Sequence, residues 1–452
     1  MNTRHKPYNT KATWGHKLFR GYVRFLQNYI YFRKVYWINA KNIPYDAPVM
    51  LVSDHQNGLT DALALVTSVD HPLRKVRMIA RADAFRPQFA SSLRWMGILP
   101  AYRTSYSEAS TVRNRSTFEE SQGELITDGI VGIYPEAGHQ DKRWLGRFSV
   151  GYLHILFEAA RQTDFQKEMF VVPSCNHYSD YFNMREEMLI WYGEPLSAKP
   201  YYELYRKDPQ EARIQFNEVI REKVSDLMLN ITDLDNYDAI DYIRMSYGVE
   251  YARKQGYDPG KLPEKLLADK QLFAQLEKAK EEDKATVQQI YDDTMRLKEG
   301  TEALGIKDSD FDSSHSTPLM ALWSIALLLL APLFFVACIP NILIFYAPRL
   351  LTSKAKDRML HGGINFGLSI LVTMPVLYLI TFALMWTFFS LPIALVHLLC
   401  LLPLGVFAFT YSRSCLLWKR LIRFRRLSRG GKLEELKALR KNIHDRLNKV
   451  LS

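Results

Sequence analysis

From Pro318 to Tyr411 the chain runs through long stretches with no charged side chain. Nothing constrains its folding more. A bilayer supplies no water to backbone amides, so an apolar stretch of that length must satisfy its own hydrogen bonds as helix. Pro318 to Pro348 holds about thirty uncharged residues, enough for a hydrocarbon core of roughly 30 Å. Gly362 to Ser412 is long enough for two crossings, with Ser390-Leu391-Pro392 as the turn. The basic loop Arg349 to Arg358 separates the two stretches. Three simple crossings would put the Arg-rich tail opposite the N-terminal part, against the positive-inside tendency. The reading adopted makes Pro318 to Pro348 a re-entrant or interfacial hairpin bending near Pro340-Asn341. Gly362 to Ser412 then forms the transmembrane hairpin, and a cysteine at Lys356 stays unreachable from outside the cell.

Residues 1 to about 310 are rich in charge and aromatics and read as water-facing protein. The net charge of +11 concentrates after the last apolar stretch, where Arg413, Lys419, Arg420, Arg423, Arg425, Arg426 and Arg429 occur with no acidic residue among them. Directly after an apolar span, such a cluster faces anionic phospholipid on the cytoplasmic side. No nucleic-acid motif accompanies it, so no nucleic-acid partner is expected. The four cysteines, Cys175, Cys338, Cys400 and Cys415, show no CxxC spacing. They suggest neither a disulfide framework nor a zinc site. The polar start, MNTRHKPYNTKATWGHK, lacks the apolar core of a signal peptide, which keeps the polar part cytoplasmic.

Trp14 to Trp37 places Trp14, Phe19, Tyr22, Phe25, Tyr29 and Phe32 mostly at helical spacings beside Lys17, Arg20 and Arg24. This predicts an amphipathic helix that packs on the domain core, lies in the lipid headgroups, or does both. Strands are expected at Pro48–Val52, Val76–Ile79, Gly129–Tyr134 and Met169–Val172, with a strand-like Ile98-Leu99. Helices are expected at Asp61–Val69, Ser107–Thr127 and Gly151–Gln162. Alternation of this kind indicates an α/β domain with a mostly parallel sheet flanked by helices. Polar clusters follow Val52, Tyr134 and Val172, at the carboxyl ends of strands where such sheets bind ligands. From Tyr201 to Leu304 the chain is charged and helical in pattern, with a break at Gly256 to Gly260 and no visible chemistry.

His55 and Asp61 are the first candidates. A histidine closing a buried strand, with an aspartate opening the next helix, makes a base and its orienter. Gly58 allows the turn between them. Asp54 competes for the imidazole, and Asp61 also suits a helix cap. No GxSxG elbow is present, so no acyl-enzyme intermediate is expected.

The surrounding residues resemble the PlsC-like glycerolipid acyltransferases, a family that includes glycerol-3-phosphate and 1-acylglycerol-3-phosphate acyltransferases. Four blocks lie in order between Ser53 and Tyr178. The first is similar to His55-Gln56-Asn57-Gly58-Leu59-Thr60-Asp61, with five intervening residues where most members have four, as in a eukaryotic-type subgroup. The second resembles IARADAFRPQFASSLRWMGILPAYR, ending at Arg103. The third resembles Tyr134-Pro135-Glu136-Ala137-Gly138-His139, and the fourth Val171-Val172-Pro173. The resemblance implies His55 as general base and Asp61 as its orienter. It also implies Arg103, Glu136 and Gly138 in the acceptor pocket, and Pro173 shaping an acyl-side wall. Arg103 offers a forked donor suited to phosphate. Asn57, or a backbone N–H near Val52 and Ser53, is a candidate for steadying the oxyanion.

Two departures bear on acceptor identity: Ala137 stands where the family has glycine, and the lysine usual shortly before the Gly151 position is absent. His139, His154 and His177 show no metal-ligand spacing, and no metal or cofactor is expected. The layout read from the chain is a membrane-associating helix over 1–45, the acyltransferase domain over 46–200 and a charged helical region over 201–312. Transmembrane or re-entrant segments follow over 313–412, and a basic tail helix over 413–452. The expected activity is acyl transfer from acyl-CoA or acyl carrier protein to glycerol-3-phosphate, its 1-acyl form or an amino-acid lipid. A membrane-anchored lipid ester hydrolase and a non-catalytic scaffold of the same fold are the alternatives.

Overall fold

The computed structural model of the chain describes residues 12–69, 75–82, 90–101, 108–136, 138, 142–313, 316–353 and 360–451. It divides into two compact units, Met1–Asn230 with Leu351–Gly367, and Ile231–Leu350 with Leu368–Ser452.

The first unit is built on a sheet whose described strands are β1 Lys34–Ile38, β2 Val49–Ser53, β3 Val76–Arg81, β4 Ile98–Ala101, β5 Ile130–Ile133, β6 Phe170–Tyr178, β7 Glu187–Tyr192 and β8 Leu196–Ser197. They lie in the order β1-β7-β6-β2-β5-β3-β4, with β8 beside β6. β2 runs parallel to both β5 and β6. All five of its residues are buried, as expected of a strand flanked on both sides in a covered sheet. Helices α1 Trp14–Phe25, α2 Gly58–Ser68, α3 Ala90–Trp95, α4 Glu108–Ile126, α5 Tyr152–Gln162, α6 Tyr202–Lys207 and α7 Pro209–Leu227 complete the layers. Met50, Val131 and Val171 of the sheet share one core with Phe157 of α5 and Phe216 of α7.

Several boundaries differ from the sequence reading. The N-terminal helix ends in a wider turn, Leu26–Tyr31, and Lys34–Ile38 is an edge strand paired with β7, inside the 1–45 segment read as helix. Its Val-Tyr-Trp-Ile run suits a pleated surface better than a helix. α1 buries Val23, with Leu26 and Ile30 beyond it, while Trp14 (77% exposed), Leu18, Tyr22, Phe25 and Tyr29 (66%) form an outward stripe. α6 and α7 belong to the first unit rather than to a region beginning at 201, because Tyr202, Tyr205, Phe216, Ile220 and Val224 pack into its core. β6 continues past Val172 to Tyr178, because Ser174–Tyr178 finds a second, antiparallel partner in β7.

The second unit contains α8 Tyr237–Ser246, α9 Gly248–Lys254, α10 Leu262–Glu282, α11 Lys284–Ala303, α12 Thr317–Thr352, α14 Met374–Phe388, α15 Leu391–Arg429 and α16 Glu434–Val450; the short α13, Leu360–Ile364, lies in the first unit. Among the described residues three helices are long and apolar enough to cross a membrane: Thr317–Ile344, His361–Phe388 and Leu391–Arg429. The hairpin expected at Pro340-Asn341 is not formed. α12 continues as one helix through Pro332, Pro340 and Pro348. Pro340 leaves the Val336 carbonyl without its usual donor, and in an apolar setting neighbouring groups satisfy such gaps. Asn341 donates its side-chain amide to the adjacent Ala337 carbonyl at 2.9 Å, and the Tyr378 hydroxyl lies 2.9 Å from Asn341 Oδ1. The basic residues from Arg413 onward simply prolong α15 until Gly430-Gly431, where Gly431 takes φ +72°.

Candidate active site

Parallel pairing aligns the carboxyl ends of β2, β5 and β6, with Val52 opposite both Ile133 and Pro173. The chain leaves β2 at Ser53 and turns through Gly58, at φ +42°, into α2. Three residues into that helix, Asp61 points back toward the strand end. Its Oδ2 accepts from His55 Nδ1 at 2.9 Å and from the backbone N–H groups of Gln56 (2.7 Å) and Asn57 (2.6 Å). Tyr178 donates its hydroxyl to the other oxygen. Asp61 is fully buried, whereas the His55 side chain keeps 18% of its surface. Holding Nδ1 in this way fixes the tautomer in which Nε2 is the basic nitrogen.

Tyr134, leaving β5, stacks on the imidazole with ring centroids 4.4 Å apart and 18° between planes. Glu136 follows two residues later. Its Oε1 accepts from the His55 N–H at 2.9 Å and its Oε2 from the Gly146 N–H at 2.8 Å. Burial raises the Glu136 carboxyl above its usual range, and the two amides oppose that rise. The carboxylate clamps the strand end to the following loop.

Asp54 does not compete for the imidazole. Its Oδ1 accepts from Asn176 N–H at 2.7 Å and from Ser53 Oγ at 3.2 Å, tying β2 to β6. Burial, reinforced by Asp61 and Glu136, pushes its pKa well above the carboxylate range. Burial likewise raises the phenols of Tyr134 and Tyr178 well above normal, so both hydroxyls stay protonated.

The structure thus gathers His55, Asp61, Asn57 and Glu136 into one site. Asn57 serves as a brace: its side-chain amide donates to the Tyr181 carbonyl at 2.9 Å, and its own N–H is spent on Asp61. Among the described residues, nothing lies within 4 Å of where a Cβ on Gly138 would be. Pro173 is buried inside β6, where its carbonyl accepts from Gly193 N–H at 2.8 Å. It falls where the partner of β6 changes from β8 to β7, so its missing N–H leaves no gap in a ladder. Arg103, Ala137 and His139 lie outside the described residues. Sequence reasoning gave Tyr178 no role, because the strand was ended too early. It quoted Tyr134 without assigning it a role, although an aromatic residue just before Pro135-Glu136 was visible.

Residues 34–176, from β1 into β6, match the family model described as Acyltransferase. The chain carries an acyltransferase domain. It is also similar to glycerol-3-phosphate O-acyltransferase 2 of Saccharomyces cerevisiae, at 26% identity over 227 residues, covering 48% of this chain and 28% of the yeast protein. The chain therefore spans little more than a quarter of that relative's length. Among solved structures, the 1-acyl-sn-glycerophosphate (LPA) acyltransferase PlsC from Thermotoga maritima aligns with a TM-score of 0.35 and 16% identity, over 47% of this chain and 78% of that one. The acyltransferase match begins at the edge strand β1, which places Lys34–Ile38 within the domain and not in a separate leader helix.

Proposed function

We propose that this protein is a membrane-bound acyltransferase that moves a fatty acyl group from a thioester, acyl-CoA or acyl carrier protein, to a hydroxyl of glycerol-3-phosphate or 1-acylglycerol-3-phosphate. The observation that carries this reading is the His55–Asp61 pair, with its tautomer fixed and its ring stacked on Tyr134. In the proposed reaction His55 Nε2 takes the acceptor's hydroxyl proton as the oxygen attacks the thioester carbonyl. The tetrahedral adduct collapses with loss of the C–S bond, and the leaving thiolate takes the proton back from the imidazolium. Because a thioester is already activated, one positioned base and two oriented substrates are enough, with no metal or cofactor. Arg103, Glu136 and Gly138 remain proposed acceptor-side residues and Pro173 an acyl-side one, on the resemblance of their blocks. The acyltransferase domain is assigned to the cytoplasmic face, with the exposed aromatic stripe of α1 resting in the headgroups.

The test is a transfer assay with purified full-length protein in mixed micelles, run with acyl-CoA and acyl carrier protein donors across a panel of acceptors. Lysophosphatidate or phosphatidate is the expected product, and His55→Ala should abolish it while leaving the thermal melt unchanged. Release of free fatty acid without acceptor acylation, or a His55→Ala protein as active as the parent, would overturn the assignment.

A further inference from the structure

Within the second unit, α12 and α15 run antiparallel. The Trp418 indole N–H donates to Ser324 Oγ at 3.0 Å, the Tyr411 hydroxyl donates to the Leu327 carbonyl at 2.7 Å, and Tyr411 stacks on Phe334 at 4.5 Å. Between the start of α12 and the end of α15 lies a groove of about 410 Å³. One wall is the face of α12 from Thr317 to Ser324 and the other the face of α15 from Ile422 to Arg429, each contributing residues at positions i, i+3, i+4 and i+7. The groove has a direction. Its inner end is lined by Met320, Ala321, Ser324 and Ile422, and its outer end by Thr317, Arg425, Arg426 and Arg429.

The arginines of this region fall into two sets. Arg420 places Nε 2.9 Å from both oxygens of the buried Asp310, and Arg440 holds Asp308 and Asp312. Among the described residues, no carboxylate is ion-paired with Arg425, Arg426 or Arg429. Arg425 donates to the Thr317 hydroxyl instead. Three guanidinium groups without anionic partners among the described residues thus converge at one end of a groove whose other end is mostly apolar. They lie where α12 begins its bilayer-length run.

We propose that this groove binds the phosphate headgroup of an anionic glycerophospholipid, with an acyl chain descending along Met320 and Ile422. Forked guanidinium donors match phosphate oxygens, and basic pockets between membrane helices at the interface suit such headgroups. A soluble phosphate compound would leave the apolar wall in water, which is why a lipid of the bilayer is the occupant. This site is independent of the acyl-transfer reading, because its test reads bound lipid and not activity.

Full-length protein in phosphatidylcholine nanodiscs doped with phosphatidic acid is extracted and its retained lipid counted by native mass spectrometry. The parent should hold phosphatidic acid in preference to phosphatidylcholine, and added glycerol phosphate should not displace it. Arg425→Gln/Arg426→Gln/Arg429→Gln should reduce retention about tenfold. Arg253→Gln/Lys278→Gln/Lys284→Gln, which removes the same charge from exposed positions, should not. Ala321→Trp fills the apolar wall, leaves every arginine in place, and should also lower retention. Thermal melts confirm folding of each variant, and Ala321→Trp decides the matter should the triple arginine variant fail to fold. Equal retention by the parent and the groove variants overturns the proposal. So does an equal loss in the control, equal binding of phosphatidylcholine, or displacement by glycerol phosphate.

Discussion

Asp61 accepts from the His55 ring and two backbone amides on Oδ2 and from the Tyr178 hydroxyl on Oδ1, so both oxygens of its carboxylate face donors. Asp61→Asn keeps the volume but turns one acceptor oxygen into a donor, which must face donors whichever way the amide flips. The expected result is a loss of kcat of about two to four orders of magnitude, the usual worth of a positioned base. Stability should fall by about 1–3 kcal/mol from the donors left unpaired, read by denaturant titration. Asp54 tells the opposite story. Its pKa is raised, so folding favours its protonated form, and that contribution is complete below the unfolded value near 3.8. It is lost as pH climbs from there through the folded value. Asp54→Asn imitates the neutral acid and has no proton to lose, so it should match the parent at pH 4 and equal or exceed it at pH 7. Melting curves across that range check this, and a variant markedly weaker at pH 7 would show that Asp54 is ionised and paired.

Elements whose cause is local were legible in the sequence. The buried run of β2, the Gly58 turn and the return of Asp61 are all set within a dozen residues, and the candidate pair follows from them. β1 was missed because its described partner, β7, lies some 150 positions further along the chain. Pro340 misled for a physical reason: a proline that breaks a helix in water is tolerated in an apolar segment, and α12 runs on through it. The docking of α13 was equally hidden. Gly363 packs on the Leu59 backbone, Tyr31 donates its hydroxyl to the Gly362 carbonyl at 3.1 Å, and Phe366 meets Tyr31 edge-on. A Cβ at Gly362 would sit 2.5 Å from Asn57 Oδ1 and press on the Tyr181 carbonyl as well. Gly362→Val should therefore displace the Asn57 brace, costing about 1–3 kcal/mol of stability and lowering transfer at least as much as it lowers the melt. Gly138→Ala, whose Cβ meets none of the described residues, should leave the melt where it is.

For the whole molecule the decisive contacts are those of the tail. α16 follows the last apolar helix, yet it packs on elements that precede the first. Arg446 pairs with Asp293 of α11 at 2.9 Å, His444 Nδ1 with Glu250 of α9 at 2.9 Å, and Arg440 with Asp308 and Asp312 just before α12. Two segments in direct contact lie on one side of any membrane the chain enters, so the chain between Asp312 and Glu434 would cross it an even number of times. Three helices of bilayer length therefore cannot all be simple crossings. The sequence reading reached an even count from the positive-inside tendency, through a hairpin at Pro340 that does not form. The packing of the tail reaches it without any charge rule. α15 runs antiparallel to α12 and returns to the Thr317 end, so a bilayer crossed by α15 would have the Phe389-Ser390 turn on its other face. Single cysteines introduced at Asp312 and Lys449 should react with an impermeant maleimide from the same side of sealed vesicles. One at Ser390 should react only from the other. Labelling of Asp312 and Lys449 from opposite sides would mean that the tail does not pack as described.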